Sequence, residues 1–364
     1  MSLEIQEIEV VDYERVIYAQ DPEVGLYCFI AVHSTVLGPA LGGVRIHPYA
    51  SKESALKDVL RLSKGMTYKA ALAECGLGGG KSVIILDPRH KSEAILHRFA
   101  EVVNLFQGNY FCAEDSGCTP ADVITMRQKT PYVMGLSLKG SSGNPSPYTA
   151  WGTLRSMQAT MQYLNGSSSL QGKVVAIQGV GAVGYQLAEM LFWEGADLIV
   201  SDLFRERAQE VKEKFGATIV DSSDILETRC DILAPCAMGA ILNINTIDSL
   251  HCRAVVGCAN NQLEFPEDAH RLKRKGITYA PDFLVNAGGL INVQMEMDKK
   301  EYSPIRARSA VDKIYNRLIS VYEIAEKNQY TTDFAAVQLA KHRLRYRIGK
   351  RIEAVQIQHD PLFV

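Results

Sequence analysis

The sequence predicts an α/β protein of two domains, the second a doubly wound parallel sheet with helices on both faces, the two separated by a cleft. Three observations lead there. At 364 residues the chain is too long for one ordinary core, and two domains of roughly 100 to 200 residues are expected. Beyond residue 144, short β-rich runs at 174–178, 198–201, 217–220, 232–234, 254–257 and 277–280 alternate with helical periodicity, the pattern of parallel strands with crossover helices. Between the halves, residues 138–147 read Leu-Lys-Gly-Ser-Ser-Gly-Asn-Pro-Ser-Pro. Such a concentration of small residues and proline sustains neither a helix nor a central strand, and it reads as a hinge.

The elements follow in order. A strand is expected at 26–33 and an amphipathic helix at 51–64, where Ala55, Leu56, Val59, Leu60 and Leu62 keep helical spacing. Ser51 with Ser54 lacks the Glu or Gln of a capping box. A buried strand at 82–86 follows a glycine cluster and stops at Asp87-Pro88. Residues 109–112 are strand-like, 148–164 a helix after the hinge, and the last ~40 residues one or two polar helices. The domains are therefore 1–143, joined by C-terminal helices 330–364, and 144–329.

Composition excludes several classes. A net charge of −2 gives no global attraction to nucleic acid or anionic lipid. The eight cysteines form no Cys-x-x-Cys pair and the histidines no His-Glu-x-x-His, so neither a metal site nor a disulfide framework is expected. No apolar run approaches the ~20 residues of a membrane span, and the acidic first twenty residues do not read as a signal peptide. The expected location is the cytoplasm. The basic run Lys341-His342-Arg343-Leu344-Arg345-Tyr346-Arg347 reads as a solvated helix face or a subunit contact.

Residues 174–178 run into Gly179-Val180-Gly181-Ala182-Val183-Gly184, which opens a helix reaching Trp193. Strand, Gly-x-Gly-x-x-Gly and helix in that order are the fingerprint of a Rossmann-type dinucleotide site. The first glycine permits the turn, the second lets backbone approach a pyrophosphate, and the third lets helix pack on strand. The N–H groups of the first helical turn then face the phosphates. Asp202 ends the next strand, where its carboxylate accepts from ribose hydroxyls and repels the extra phosphate of NADP, which favours NAD. Arg205 and Arg207 lie close by and read as a solvated helix start.

In the first half, Lys69 stands in an otherwise apolar stretch and Lys81 follows Gly78-Gly79-Gly80, which leave no side chains to shield it. Gly-Gly-Gly-Lys-Ser is not a phosphate loop, because Cys75 stands where the first glycine is required and a strand follows. Adjacent carboxylates come at Glu114-Asp115. Two lysines and a carboxylate suit amino-acid chemistry: one ammonium grips a carboxylate, and the other, desolvated, acts as a base. The residues alone leave open that both are ordinary lysines with buried stems.

The strings 37–43 (Leu-Gly-Pro-Ala-Leu-Gly-Gly), 65–69 (Gly-Met-Thr-Tyr-Lys), 78–81, Ala113-Glu114-Asp115, 143–147 (Gly-Asn-Pro-Ser-Pro) and Asn286-Ala287-Gly288-Gly289 resemble the glutamate/leucine/phenylalanine/valine dehydrogenase family. So do 230–237 and 259–263, and the resemblance covers about residues 10 to 330. It implies that Lys69 binds the substrate carboxylate, that Lys81 is the general base activating water, and that Asp115 moves protons to and from the amino group. Leu41, Gly42, Ala113, Leu290 and Val293 would meet the substrate. Thr149 would lie against the nicotinamide carboxamide and Asn260 near the nicotinamide ribose. The implied reaction is NAD-dependent oxidative deamination by a homo-oligomeric enzyme of a branched-chain amino acid, leucine, valine or isoleucine. An aromatic substrate is the alternative, since Leu290 resembles the phenylalanine and tryptophan enzymes while Ala113 resembles the leucine ones. A catalytically silent NAD-binding regulatory protein is a third reading.

Overall fold

The computed structural model describes residues 3–136, 140–237 and 239–356. It divides into two compact units: residues 1–144, 293–304 and 340–364 form one, residues 145–292 and 305–339 the other. Residues 138 and 139, where the hinge reading begins, lie outside the described residues, as do 357–364 of the C-terminal reading.

The first unit is built on a six-stranded mixed sheet of β1 (Glu4–Glu7), β2 (Arg15–Asp21), β3 (Leu26–Ser34), β4 (Ala40–His47), β5 (Gly78–Ile85) and β6 (Tyr110–Glu114). The spatial order is β1-β2-β3-β5-β4-β6, with β5, β4 and β6 mutually parallel. Side chains of β2 to β6 alternate between a core with Phe99, Val103 and Tyr110 and a smaller one in which Val16, Phe29 and Val83 meet Ala55 and Val59.

Two expectations are corrected here. Ser51 and Ser54 do form a reciprocal capping box, because a serine hydroxyl at the third helical position reaches the Ser51 N–H at 3.1 Å as a longer side chain would. That helix runs Lys52–Leu72, so Lys69 lies within its last turn. Gly78, Gly79 and Gly80 are strand residues and all buried, not an open loop. A Cβ at Gly79 would run into Thr67 of the helix, and one at Gly78 into the Ser34 carbonyl. The glycines exist to let helix and strands approach.

In the C-terminal basic run Lys341, His342, Arg345 and Arg347 are exposed, as a solvated face requires, and Arg343 alone of its cations departs from it. Arg343 is buried and its Nη1 donates to the carbonyls of Leu72, at 2.7 Å, and Ala71, while Nη2 meets Glu74 at 2.5 Å. It thus supplies the missing partners at the C-terminus of helix Lys52–Leu72. Arg351 similarly reaches the Gly76 and Met297 carbonyls.

The second unit holds a wholly parallel sheet: β7 (Val174–Gln178), β8 (Asp197–Ser201), β9 (Thr218–Ile219), β10 (Ile232–Pro235), β11 (Ala254–Val255) and β12 (Thr278–Tyr279). Its order, β12-β11-β10-β7-β8-β9, is the doubly wound Rossmann arrangement. The order reverses between β7 and β10, whose carboxyl ends are Gln178 and Pro235. In such sheets ligands bind at that switch point.

Candidate active site

On β5, β4 and β6 the two-residue period decides which side chains share a face. Leu41 pairs with Gly79 and Phe111, and Gly43 with Ala113. Leu41, Arg45, Lys81, Ala113 and Asp115 therefore point to the same side of three neighbouring strands. Lys81, 5% exposed, reaches Asp115 with Nζ 2.7 Å from Oδ2. The strand between them permits this because Gly43 is bare: a Cβ there would stand 2.6 Å from the Asp115 Cβ, and on the opposite face a Cβ at Gly42 would strike the Gly80 carbonyl. Beneath, the fully buried Tyr110 hydroxyl sits 3.0 Å from both the Gly42 carbonyl and the Ser82 hydroxyl.

Burial works against the charge on Asp115, but the Lys81 ammonium and the Arg45 guanidinium outweigh it and hold its carboxyl below the usual carboxylate range. Arg45 Nε donates to Asp115 at 3.2 Å and Nη1 to Asp58 at 3.0 Å, and the Tyr49 hydroxyl donates to Asp58 at 2.7 Å. Reading the sequence misses Arg45, Asp58 and Tyr49. The available signal was a lone arginine between the apolar Val44 and Ile46 of β4. Asp115 is thus a carboxylate when paired, and to deliver a proton it must first receive one, for which Lys81 is within reach.

Val293, on the helix Gly288–Gln294, approaches the same region. A Cβ placed at Gly135 would lie 3.8 Å from the Val293 Cγ2 and 4.0 Å from the Ala113 Cβ. The Glu296 carboxylate holds this loop by accepting from the Gly135 N–H at 3.1 Å and the Ser142 N–H at 2.5 Å. Leu290 precedes Val293 by three residues on that helix but belongs to the second unit.

In the second unit Gly179 turns at φ +90°, and a Cβ there would lie 2.6 Å from the Ala237 Cβ. A Cβ at Gly184 would strike the Gly179 carbonyl. At Gly181 the space is open, with only the Arg207 Nη1 at 3.9 Å. Gly181 caps the helix Ala182–Trp193 without a side-chain acceptor, so Ala182, Val183 and Gly184 offer their N–H groups outward. Asp202 accepts from the Val180 N–H and the Phe204 N–H, both at 2.9 Å, so it braces the loop as well as ending β8. Arg205 and Arg207 are exposed, the latter stacked on the Phe204 ring. Asn260 accepts from the Asn286 Nδ2 at 2.7 Å, and Thr149 donates to the Pro145 carbonyl in the first turn of the helix Ser146–Asn165, against which Gly289 packs. Among the described residues no cluster of His, Cys, Asp or Glu could hold a metal ion, and no helix is long and apolar enough to cross a membrane.

Comparison with known proteins places this geometry in a class: the protein is an amino-acid dehydrogenase. The model of the Glu/Leu/Phe/Val dehydrogenase dimerisation domain matches residues 13–136, and that of the Glutamate/Leucine/Phenylalanine/Valine dehydrogenases matches 200–347. Leucine dehydrogenase of Geobacillus stearothermophilus is 48% identical over 98% of this chain and 97% of its own. Phenylalanine dehydrogenase of Lysinibacillus sphaericus is 44% identical over 90% and 87%. The crystal structure of L-tryptophan dehydrogenase from Nostoc punctiforme superposes with a TM-score of 0.82 at 41% identity, covering 92% of this chain and 96% of that one. The chain belongs to the glutamate/leucine/phenylalanine/valine dehydrogenase family. The reading as a silent regulatory protein is overturned by these relatives, and a buried Lys81–Asp115 pair would be a cost without a use in such a protein.

Proposed function

We propose that the protein catalyses the reversible, NAD-dependent oxidative deamination of a branched-chain L-amino acid to its 2-oxo acid and ammonium. The observation that carries this reading is the Lys81–Asp115 ion pair standing on the same sheet face as the apolar Leu41 and Ala113. The glycine loop and Asp202 suit NAD: the open space at Gly181 and the uncapped N–H groups of the following helix would hold the pyrophosphate, with Asp202 at the adenine ribose, Thr149 at the carboxamide and Asn260 at the nicotinamide ribose. When bound, NAD accepts the hydride leaving the substrate Cα.

The chain's own residues do the rest. Lys69 grips the substrate carboxylate and fixes the Cα. Lys81, once its ammonium has given a proton to Asp115, takes a proton from water as the water oxygen attacks the substrate iminium carbon, and Asp115 passes the proton it received to the departing nitrogen, the reverse reaction returning it. The substrate side chain is received by Leu41, Gly42, Ala113, Leu290 and Val293, where a second carboxylate such as that of glutamate would be left unpaired. The eight thiols, none in a disulfide, suit a reducing cytoplasm, and the match to a dimerisation domain supports a homo-oligomer.

An aromatic substrate is the second reading, favoured by Leu290 and by the phenylalanine and tryptophan dehydrogenases among the relatives. Initial rates with leucine, isoleucine, valine, phenylalanine and tryptophan, each with NAD and NADP, test both readings. Highest kcat/KM on an aliphatic substrate with NAD is expected; faster turnover of phenylalanine or tryptophan overturns the branched-chain assignment. Lys69→Ala should raise the KM for the amino acid by about tenfold or more, as for loss of a contact present in ground and transition states. An unchanged KM would reassign Lys69.

A further inference from the structure

Cys112 and Cys118 stand on either side of Asp115. Burial pushes both thiols up, Cys118 to about 12, and does the same to Cys28, Cys230 and Cys252. A different pair is placed for chemistry. Ile232 of β10 stands beside Ala254 of β11 and Leu233 beside Val255. Cys236 and Cys258 follow the carboxyl ends of these two adjacent parallel strands. Past the strand ends the two chains stay bonded with a one-residue slip, the Val256 N–H donating to the Leu233 carbonyl and the Ala259 N–H to the Pro235 carbonyl, both at 2.9 Å. Gly257 lets the two ends close in, because a Cβ there would run into the Pro235 backbone.

Neighbouring strands ~4.8 Å apart fall within the Cα separation that a disulfide spans. The Cys236 sulfur is in hydrogen-bonding contact with both the thiol and the backbone of Cys258. Those contacts hold its thiol below the ordinary cysteine range against the effect of burial. Cys236 is also partly exposed and next to the exposed Ala237.

We propose that Cys236 and Cys258 form a reversible dithiol–disulfide site beneath the nucleotide loop, closed by a peroxide and reopened by a small thiol. The Cys236 thiolate attacks one peroxide oxygen, forming an S–O bond as the O–O bond breaks, and hydroxide leaves to become water. Cys258 then attacks the sulfenic sulfur. The S–S bond forms, the S–O bond breaks, and the second hydroxide leaves with the Cys258 proton as water. Two thiols lose two electrons in total and one peroxide gains them.

The consequence for binding rests on the nucleotide reading above. Ala237, one residue on, meets Gly179, and the Cys236 Cβ lies 3.5 Å from the Cβ position of Gly184. The Cys258 carbonyl accepts from the Asn286 Nδ2, which also holds Asn260. Drawing the two sulfurs together therefore shifts the surface on which the first and third loop glycines pack, and weakens NAD.

The test treats the reduced full-length protein with hydrogen peroxide, blocks remaining thiols with a maleimide and maps the peptides by mass. A Cys236–Cys258 cross-linked peptide, lighter by two hydrogens and lost on adding dithiothreitol, is expected. Calorimetry should find NAD bound about five- to tenfold more weakly after oxidation, with recovery on reduction. Cys258→Ser should abolish the cross-link and leave Cys236 to proceed to a sulfinic acid. Maleimide label retained on both cysteines, or a cross-link between other residues, overturns the proposal, as does an oxidised protein with unaltered NAD affinity. A reduced protein that binds no NAD sinks the nucleotide reading instead, and the peptide map still decides the dithiol.

Discussion

The two units make their sites from different materials. In the first, charged side chains from β4, β5 and the end of β6 converge over a patch of bare glycine, and the geometry depends on residues seventy positions apart, such as Arg45 and Asp115. In the second, one contiguous stretch from Gln178 to Gly184 forms a turn that presents the Ala182, Val183 and Gly184 N–H groups, and the side chains nearby mostly hold the loop in place. A site of side chains is sensitive to single substitutions at the chemistry. A site of backbone is sensitive to anything that adds volume beneath it.

The contrast is sharpest at Lys81. Lys81→Ala should lower kcat by about a hundred- to ten-thousandfold, the range for loss of a general base, while NAD binding measured by calorimetry stays as it was. Normal turnover would remove Lys81 from the mechanism, and loss of NAD binding would show that the two sites are not separable.

A smaller effect is expected at Asp333, a half-buried carboxyl of the second unit. Burial and the neighbouring Asp282 charge raise it from 3.8 to about 6. A carboxyl raised on folding keeps its proton better in the folded chain, so stability falls as pH rises from the unfolded value through about 6 and the penalty is complete above that. Asp333→Asn should therefore stabilise the protein near neutrality by up to about 3 kcal/mol and do little near pH ~4. Thermal melts at the two pH values check this; an equal shift at both would mean that charge is not the cause.

Next comes Asp202, the one carboxylate in the backbone-built site. Asp202→Ser should lower the NAD to NADP ratio of kcat/KM by roughly tenfold, or ~1.4 kcal/mol. The ratio is the proper readout because losing the braces to Val180 and Phe204 disturbs both cofactors alike. An unaltered ratio would move the selectivity to Arg207 beside the loop. The smallest effect belongs to Ala113→Gly, which removes one methyl group from the sheet face that carries Lys81 and Asp115. A shift of ~1 kcal/mol, a few-fold in relative kcat/KM, toward phenylalanine is expected. No change in the substrate profile would show that Ala113 does not line the side-chain pocket.

The same difference in materials explains what could be read before the structure. The strand at 174–178 and the loop after it were legible because their residues are consecutive and each glycine has a local reason. The parallel sheet was legible from alternation, although β9, β11 and β12 shrink to two residues each where the register is held by loop hydrogen bonds. In the first unit Lys81 and Asp115 were visible as residue types, but their pairing was not, because it depends on β4 inserting between β5 and β6. Arg45, Asp58 and Tyr49 gave no pattern for the same reason. The triple glycine misled: three residues without side chains look like a loop until the helix that needs the room is seen beside them. Arg343 misled too, since a run of cations gives no hint that one of them ends another helix.

That last contact bears on how the chain is made. Helix Lys52–Leu72 emerges from the ribosome early, yet the guanidinium that satisfies its final carbonyls arrives 271 residues later. The first unit also waits for residues 293–304 before its Glu296 can secure Gly135 and Ser142. The unit that is translated first is thus completed last, and until then it lacks the contacts that its late segments supply. Slow synthesis near the end of the message would prolong that wait, so yield in a cell should respond more to chaperone supply than the stability of the finished protein would suggest.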